Sequence, residues 1–235
     1  MWTNSQLKAN GLMNFKKNRW ACIVVTIILG ICVGGTASGS ANSASNNEET
    51  MQELMDKLTP EIIAAIVGVI GIAVIIGIIL DIILFNVLEV GCQRFFIVNR
   101  AVENAQISEV TFGFKNNWMN IVKTMFLKDL YLFLWSMLCF IPGIIKAYSY
   151  RLVPYLMAED PNMSSNEAIT LSRQMMNGQK MNAFVYDLSF IGWYLLAIIT
   201  CGIAGVFYVF PYKNCSDAEL YTAIKETYNP NVQNY

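Results

Sequence analysis

Residues 62–80 read IIAAIVGVIGIAVIIGIIL, a run with no charge and no strongly hydrogen-bonding side chain. At about 1.5 Å per residue the run covers roughly 28 Å as a helix, close to the hydrocarbon thickness of a bilayer. It is apolar on every side, so no face is left for water. The run reads as a transmembrane helix, and the rest of the chain as its partners. Composition agrees: 55% of the 235 residues are hydrophobic and 14% charged, where soluble domains have about a quarter charged. Such a chain cannot cover a water-facing surface. The fold class expected is all-α: a polytopic transmembrane bundle in the cytoplasmic membrane, with the lipid bilayer as its main partner.

Several function classes drop out. The net charge of −1 argues against nucleic acid as a partner. There is no histidine, which removes the usual zinc ligand, the usual general base and the centre of a Ser-His-Asp triad. No Walker loop, G-x-G-x-x-G or nucleophile elbow occurs. Tyr186-Asp187 invites comparison with intramembrane aspartyl proteases, but Asp81 follows Ile-Ile-Leu rather than the Gly-x-Gly that a second catalytic Asp would need. No enzyme activity, cofactor or metal is expected. The cysteines, Cys22, Cys32, Cys92, Cys139, Cys201 and Cys215, form no C-x-x-C pair and read as small apolar packers. Cys139 and Cys201 precede two breaks in the apolar pattern. They can meet as an external disulfide if the segments around them are neighbours.

In chain order, residues 1–19 carry Lys8, Lys16, Lys17 and Arg19 and no acid, a basic cytoplasmic N-terminus. Residues 20–37 form a first transmembrane helix, retained as an anchor or cleaved near Ala37 as a signal peptide. Residues 38–60 are a polar loop with Glu48, Glu49, Glu53 and Asp56 against Lys57, which suits the outside, with a short amphipathic helix over 51–58. Residues 61–228 are read as the membrane bundle with interfacial helices, and 229–235 as a loose tail.

The second span starts at Glu61, is interrupted by Asp81 and ends at Gly91, which with Arg94 and Arg100 marks the inner side. Residues 91–123 mix Phe95, Phe96, Phe112, Phe114 and Trp118 with basic residues. They read as a segment on the inner membrane surface or as a small soluble cap. Pro142-Gly143 breaks the apolar run 130–157, and Cys201-Gly202 breaks 184–212. Each break is a turn or a kink. Two turns give six spans and two kinks give four, with both termini inside in either case. Trp135 with Pro154-Tyr155 and Trp193 with Pro211-Tyr212 suggest a weak repeat of helical hairpins. Ser164 to Glu167 has capping-box spacing before an amphipathic stretch. That stretch lies on the cytoplasmic surface, or packs on the protein's own loops. Ser216 to Glu219 repeats the spacing near the tail.

Ionisable groups within a span cost roughly 2.5–3.5 kcal/mol on insertion scales unless paired or wetted. Asp81, Arg151 and Asp187 are the candidates, and Arg151 is expected to pair with one of the two acids. The pair is either a structural staple or part of a polar site lining a cavity. Arg94, Arg100, Arg173 and Lys180 are candidates for lipid headgroups.

From residue 88 onward the order LEVGCQRFF, FIPGIIKAYSYRLVPYLMAEDP, EAITLSRQMMNGQK, DLSFIGW, then a late Pro-Tyr and ELY resembles the bacterial membrane-protein family catalogued as domain of unknown function 975. Residues 152–180 are also similar, more faintly, to the membrane domain of some glycerophosphodiester phosphodiesterases. The resemblance implies a polytopic helical protein with Pro-Gly as a turn, and it implies no activity. Two functions remain open: a non-enzymatic accessory, scaffold or protective factor acting with other membrane proteins, or a permease-like protein handling a small polar solute or lipid near Arg151. A polar cavity reaching Arg151 favours the second, and a closed, dry bundle the first.

Overall fold

The computed structural model describes residues 2–34, 59–138 and 140–228. The Ala37 cleavage site, nearly all of the expected external loop, Cys139 and the tail lie outside the described residues. Among those described, every regular element is a helix. Two stretches, Ala64–Ala101 and Lys180–Ile199, are long and apolar enough to cross a membrane.

The first helix, α1 (Asn4–Lys17), starts at the N-cap Thr3, whose hydroxyl accepts from the Gln6 amide. Leu7, Gly11 and Phe15, spaced four apart, form its buried face. The basic N-terminus is therefore a docked helix and not only a charged flank. The apolar run after it is α2 (Arg19–Gly34), which falls short of the two longer stretches. It buries Cys22, Val25 and Leu29 in the core.

Helix α3 (Pro60–Leu80) opens with Thr59 as N-cap and Pro60 in the first turn, where its missing N–H is no loss. Side chains from Ala64 to Leu80 are exposed throughout, and a Cβ added at Gly68, Gly71 or Gly77 would meet nothing within 4 Å. At Asp81–Phe85 the helix widens into a π-turn and continues as α4 (Asn86–Ala101). There the environment reverses: Val87, Val90, Cys92, Phe95 and Phe96 are buried. The expectation that Gly91 ends the span is corrected. Gly91 sits mid-helix, where a Cβ would lie 2.6 Å from the Val110 carbonyl carbon. It is small because the 3-10 turn Ile107–Thr111 crosses it there. Phe95 and Phe96 belong to the core and not to a membrane-surface segment.

Helices α5 (Trp118–Leu138) and α6 (Phe140–Tyr150) form the first hairpin. Pro142-Gly143 lies inside α6 and not between the two helices. Pro142 falls in the first turn of α6, where an N–H would have no helical partner. Gly143 lets the hairpin close: a Cβ there would lie 3.1 Å from the Ser136 Cα. After α7 (Val153–Glu159) comes α8 (Ser165–Met175), capped as expected by the Ser164 hydroxyl, which accepts from the Glu167 amide. It is tied to the protein through Thr124 to Ser165 (2.9 Å) and Ser172 to the Ser149 carbonyl (2.8 Å).

The second hairpin consists of α9 (Lys180–Leu188), α10 (Ile191–Ile199), a π-turn at Gly205–Val209 and α11 (Phe210–Thr227). The break at Cys201-Gly202 is thus a turn, while Pro142-Gly143 lies inside α6, whose helix folds back on α5. The Ser216 to Glu219 spacing is no cap, because both residues lie inside α11 and the Ser216 hydroxyl returns to the Tyr212 carbonyl. Helix α4 joins two apolar clusters. One holds Cys22, Phe95, Tyr155, Tyr186 and Tyr221, and the other holds Val90, Ile121, Met125 and Met157.

Gly91→Ala should lower stability in detergent by about 1–3 kcal/mol, since backbone must move to admit one methyl. Gly68→Ala should leave the thermal midpoint unchanged or slightly raised. Melting curves of the two variants check both.

Candidate functional site

The last turn of α6 leads straight into Arg151, and Asp187 lies near the end of α9. Helix α11 contributes Lys213 and Asp217, one turn apart on the same face. These four side chains close into a ring of alternating charge. Arg151 holds both oxygens of Asp187, Nη1 to Oδ2 at 2.7 Å and Nη2 to Oδ1 at 3.1 Å. Its Nη2 also reaches Asp217 Oδ1 at 3.0 Å. Lys213 Nζ stands 3.0 Å from Asp187 Oδ1 and bonds Asp217 as well. The Tyr148 hydroxyl donates to Asp187 Oδ2 at 2.9 Å. Lys213 lies over the rings of Tyr186 and Phe190, at 4.8 and 5.3 Å.

Two cations and two carboxylates make the ring neutral as a whole. A single charge at this burial would be strongly disfavoured, and each member here is compensated twice. Lys8 of α1 closes over the periphery. It donates to the Ser189 carbonyl at 2.7 Å and covers Phe190. Burial first, then the nearby Lys213 charge, holds its ammonium below the ordinary lysine range.

The ring faces a cavity of about 580 Å³ through Arg151, Lys213 and Asp217. A second ionic group, Glu89 of α4 and Lys128 of α5, also lines it. Lys128 Nζ is 3.7 Å from Glu89 Oε2 and 3.1 Å from Asp129 Oδ1. Between the two groups the walls are Leu29, Val33, Leu132 and Phe210, with Tyr150, Tyr155 and Tyr194 adding phenol edges. The Gln93 side chain also lines the cavity, and its buried Oε1 has no hydrogen-bond partner. The arrangement can hold a molecule with one polar and one apolar part.

Of the three intramembrane charges read from the sequence, the structure brings Arg151 and Asp187 together. Asp81 lies apart, half-exposed at the π-turn, with Lys128 and Asp129 as its charged neighbours. Arg94 and Arg100 are turned onto the protein rather than left free for headgroups. Arg94 pairs with Glu109 at 3.6 Å and donates to the Ala158 carbonyl, and Arg100 pairs with Glu219 at 3.0 Å. Arg173 is exposed and Lys180 half-buried. Cys201 is exposed, and its expected disulfide partner lies outside the described residues. Sequence reasoning missed Lys213 and Asp217. Their one-turn spacing directly after an apolar run was the available signal. Glu89 and Lys128 were missed too, since each sits next to a stretch assigned to the inner surface.

Arg151→Ala should cost about 3–5 kcal/mol, because two acids are left with one lysine. Denaturant unfolding in detergent of Arg151→Ala, Asp187→Ala and the double variant should show a coupling well above the 0.5 kcal/mol of independent sites.

No curated protein and no solved structure matches the chain. The family described as Protein of unknown function (DUF975) matches residues 137–228. That segment holds all four members of the ionic ring, while Glu89, Gln93 and Lys128 precede it. The fainter similarity to glycerophosphodiester phosphodiesterases is not shown by these comparisons. Over residues 137–228, from the end of α5 to the end of α11, the chain is similar to the DUF975 family.

Proposed function

We propose that this is an integral membrane protein, crossing the bilayer more than once, that handles a small polar solute or a lipid in the cavity beside Arg151. The observation that carries this reading is the cavity itself. It is an open cleft of about 580 Å³ beside paired ions. The size suits a small-molecule site, as does the mixture of apolar walls with a few fixed polar groups. Membrane insertion is supported by α3, whose isoleucines and valines are exposed on every side. Water is a poor solvent for such a surface, and lipid is a good one. The basic α1 suits the cytoplasmic side, with α2 and α3 as the first outward and return passes.

Gly30 gives a direct test. It lines the cavity, and a Cβ added there would meet nothing within 4 Å. Gly30→Leu should therefore put a side chain into the cavity from an open position and gain helix propensity. The protein should stay with the membrane pellet through an alkaline wash. After gentle extraction, native mass spectrometry should find it carrying a small molecule, with occupancy about tenfold lower in Gly30→Leu at an unchanged thermal midpoint. An empty wild-type protein, or equal occupancy in the variant, would refute the cavity reading.

A further inference from the structure

We infer that the two helical hairpins are re-entrant: they dip into one leaflet of the bilayer and return, with their tips held in hydrocarbon rather than emerging on the far side. The inference rests on the membrane reading above and goes beyond it.

Charge placement is the first argument. Residues 130–145 and 188–212 contain no Asp, Glu, Lys or Arg. The uncharged arms on either side of the two turns run about 9 to 18 Å at helical rise. A full crossing needs about 30 Å of hydrocarbon, and one leaflet about half of that. Were the hairpins to cross completely, Lys128, Asp129, Lys146 and Asp187 would all be drawn into the hydrocarbon. Halfway insertion leaves every one of them at the bases.

The tips themselves are the second argument. Met137, Leu138 and Ile141 at one tip are 71–74% exposed, and Ile198, Ile199 and Ile203 at the other 67–78%. A turn that surfaces in water would carry polar side chains. These carry some of the most exposed large apolar groups of the molecule.

The third argument is the backbone of the second turn. Irregular backbone facing lipid is normally excluded because its N–H groups have no water to bond. Here they are satisfied internally. The helix ends in a Schellman motif, with the Gly202 amide on the Ala197 carbonyl at 2.7 Å and the Cys201 amide on Ile198 at 3.0 Å. The motif puts Cys201 in the left-handed region at φ 50°, and Gly202 follows at φ 86°. The Ile203 amide bonds the Thr200 carbonyl, and the Ala204 amide bonds the Thr200 hydroxyl at 3.1 Å. That hydroxyl in turn donates to Leu196 and Ala197. A turn in water does not need such closure.

At the base of the first hairpin, Lys146 lies 4.5 Å above the Trp135 ring, a pairing of cation and indole suited to the headgroup level.

The native Cys201 tests this in the full chain. In a Cys139→Ser background it is labelled in detergent with a fluorophore, and the protein is returned to vesicles. Nitroxides near the ends of lipid acyl chains should then quench the label at least threefold more than nitroxides at the headgroup. In sealed vesicles, Cys201 should resist a membrane-impermeant maleimide from both sides, while Ser164→Cys is labelled from one. Labelling of Cys201 from the side opposite to residue 164 would mean full crossings, and labelling from the same side would mean surface hairpins. Either result overturns the inference and leaves the cavity reading standing. Loss of the protein from the membrane in an alkaline wash would overturn both.

Discussion

Arg151 needs partners wherever it is buried, and the arrangement of the C-terminal half follows from how they are supplied. One carboxylate comes from α9 and another from α11, and Lys213 comes with the second. The lysine turns what would be an excess of acid into a closed neutral ring. Because each member comes from a different turn of chain, the ring fixes three helices at once. In the proposed membrane setting hydrophobic packing would not do this alone, because apolar contact between helices has little advantage over contact with acyl chains. Paired charge supplies the specificity that the solvent withholds.

The same reasoning explains how the cavity persists. Its ionic edges are internally satisfied and do not collapse onto one another. The space between is lined by side chains anchored on α2, α4, α5 and α11. Helix α4 is central, since it takes part in both apolar clusters and carries Glu89 and Gln93. The π-turn before it marks where the long helix passes from an exposed to an enclosed environment, a place where such turns often occur at functional sites.

Much of this was readable from the residues. The helical class, the two breaks in the apolar pattern (though not whether each was a turn or a kink), the Ser164 cap and the candidacy of Arg151 and Asp187 each had a local signal: composition, Pro-Gly and Cys-Gly punctuation, S-x-x-E spacing, or a charge in an apolar run. What was not readable depended on contacts between distant segments. Gly91 looks like a stop, and only the crossing backbone at Val110 shows why it is small. Ser216 to Glu219 has the same spacing as Ser164 to Glu167, yet it lies mid-helix, because α11 starts earlier at Phe210. Lys213 and Asp217 carried no local signal strong enough to single them out. Their role depends on α11 running beside Arg151, which no local pattern specifies.

Helix α1 packs on α11 through Gly11 against Ser216 and Asn14 on Glu219. The segment that leaves the ribosome early thus has its resting place on one that leaves much later. Until then α1 must wait, with Leu7 and Phe15 uncovered. Biogenesis of this protein therefore has a vulnerable interval set by its own topology, in which a chaperone or the insertion machinery would have to shield the early helix.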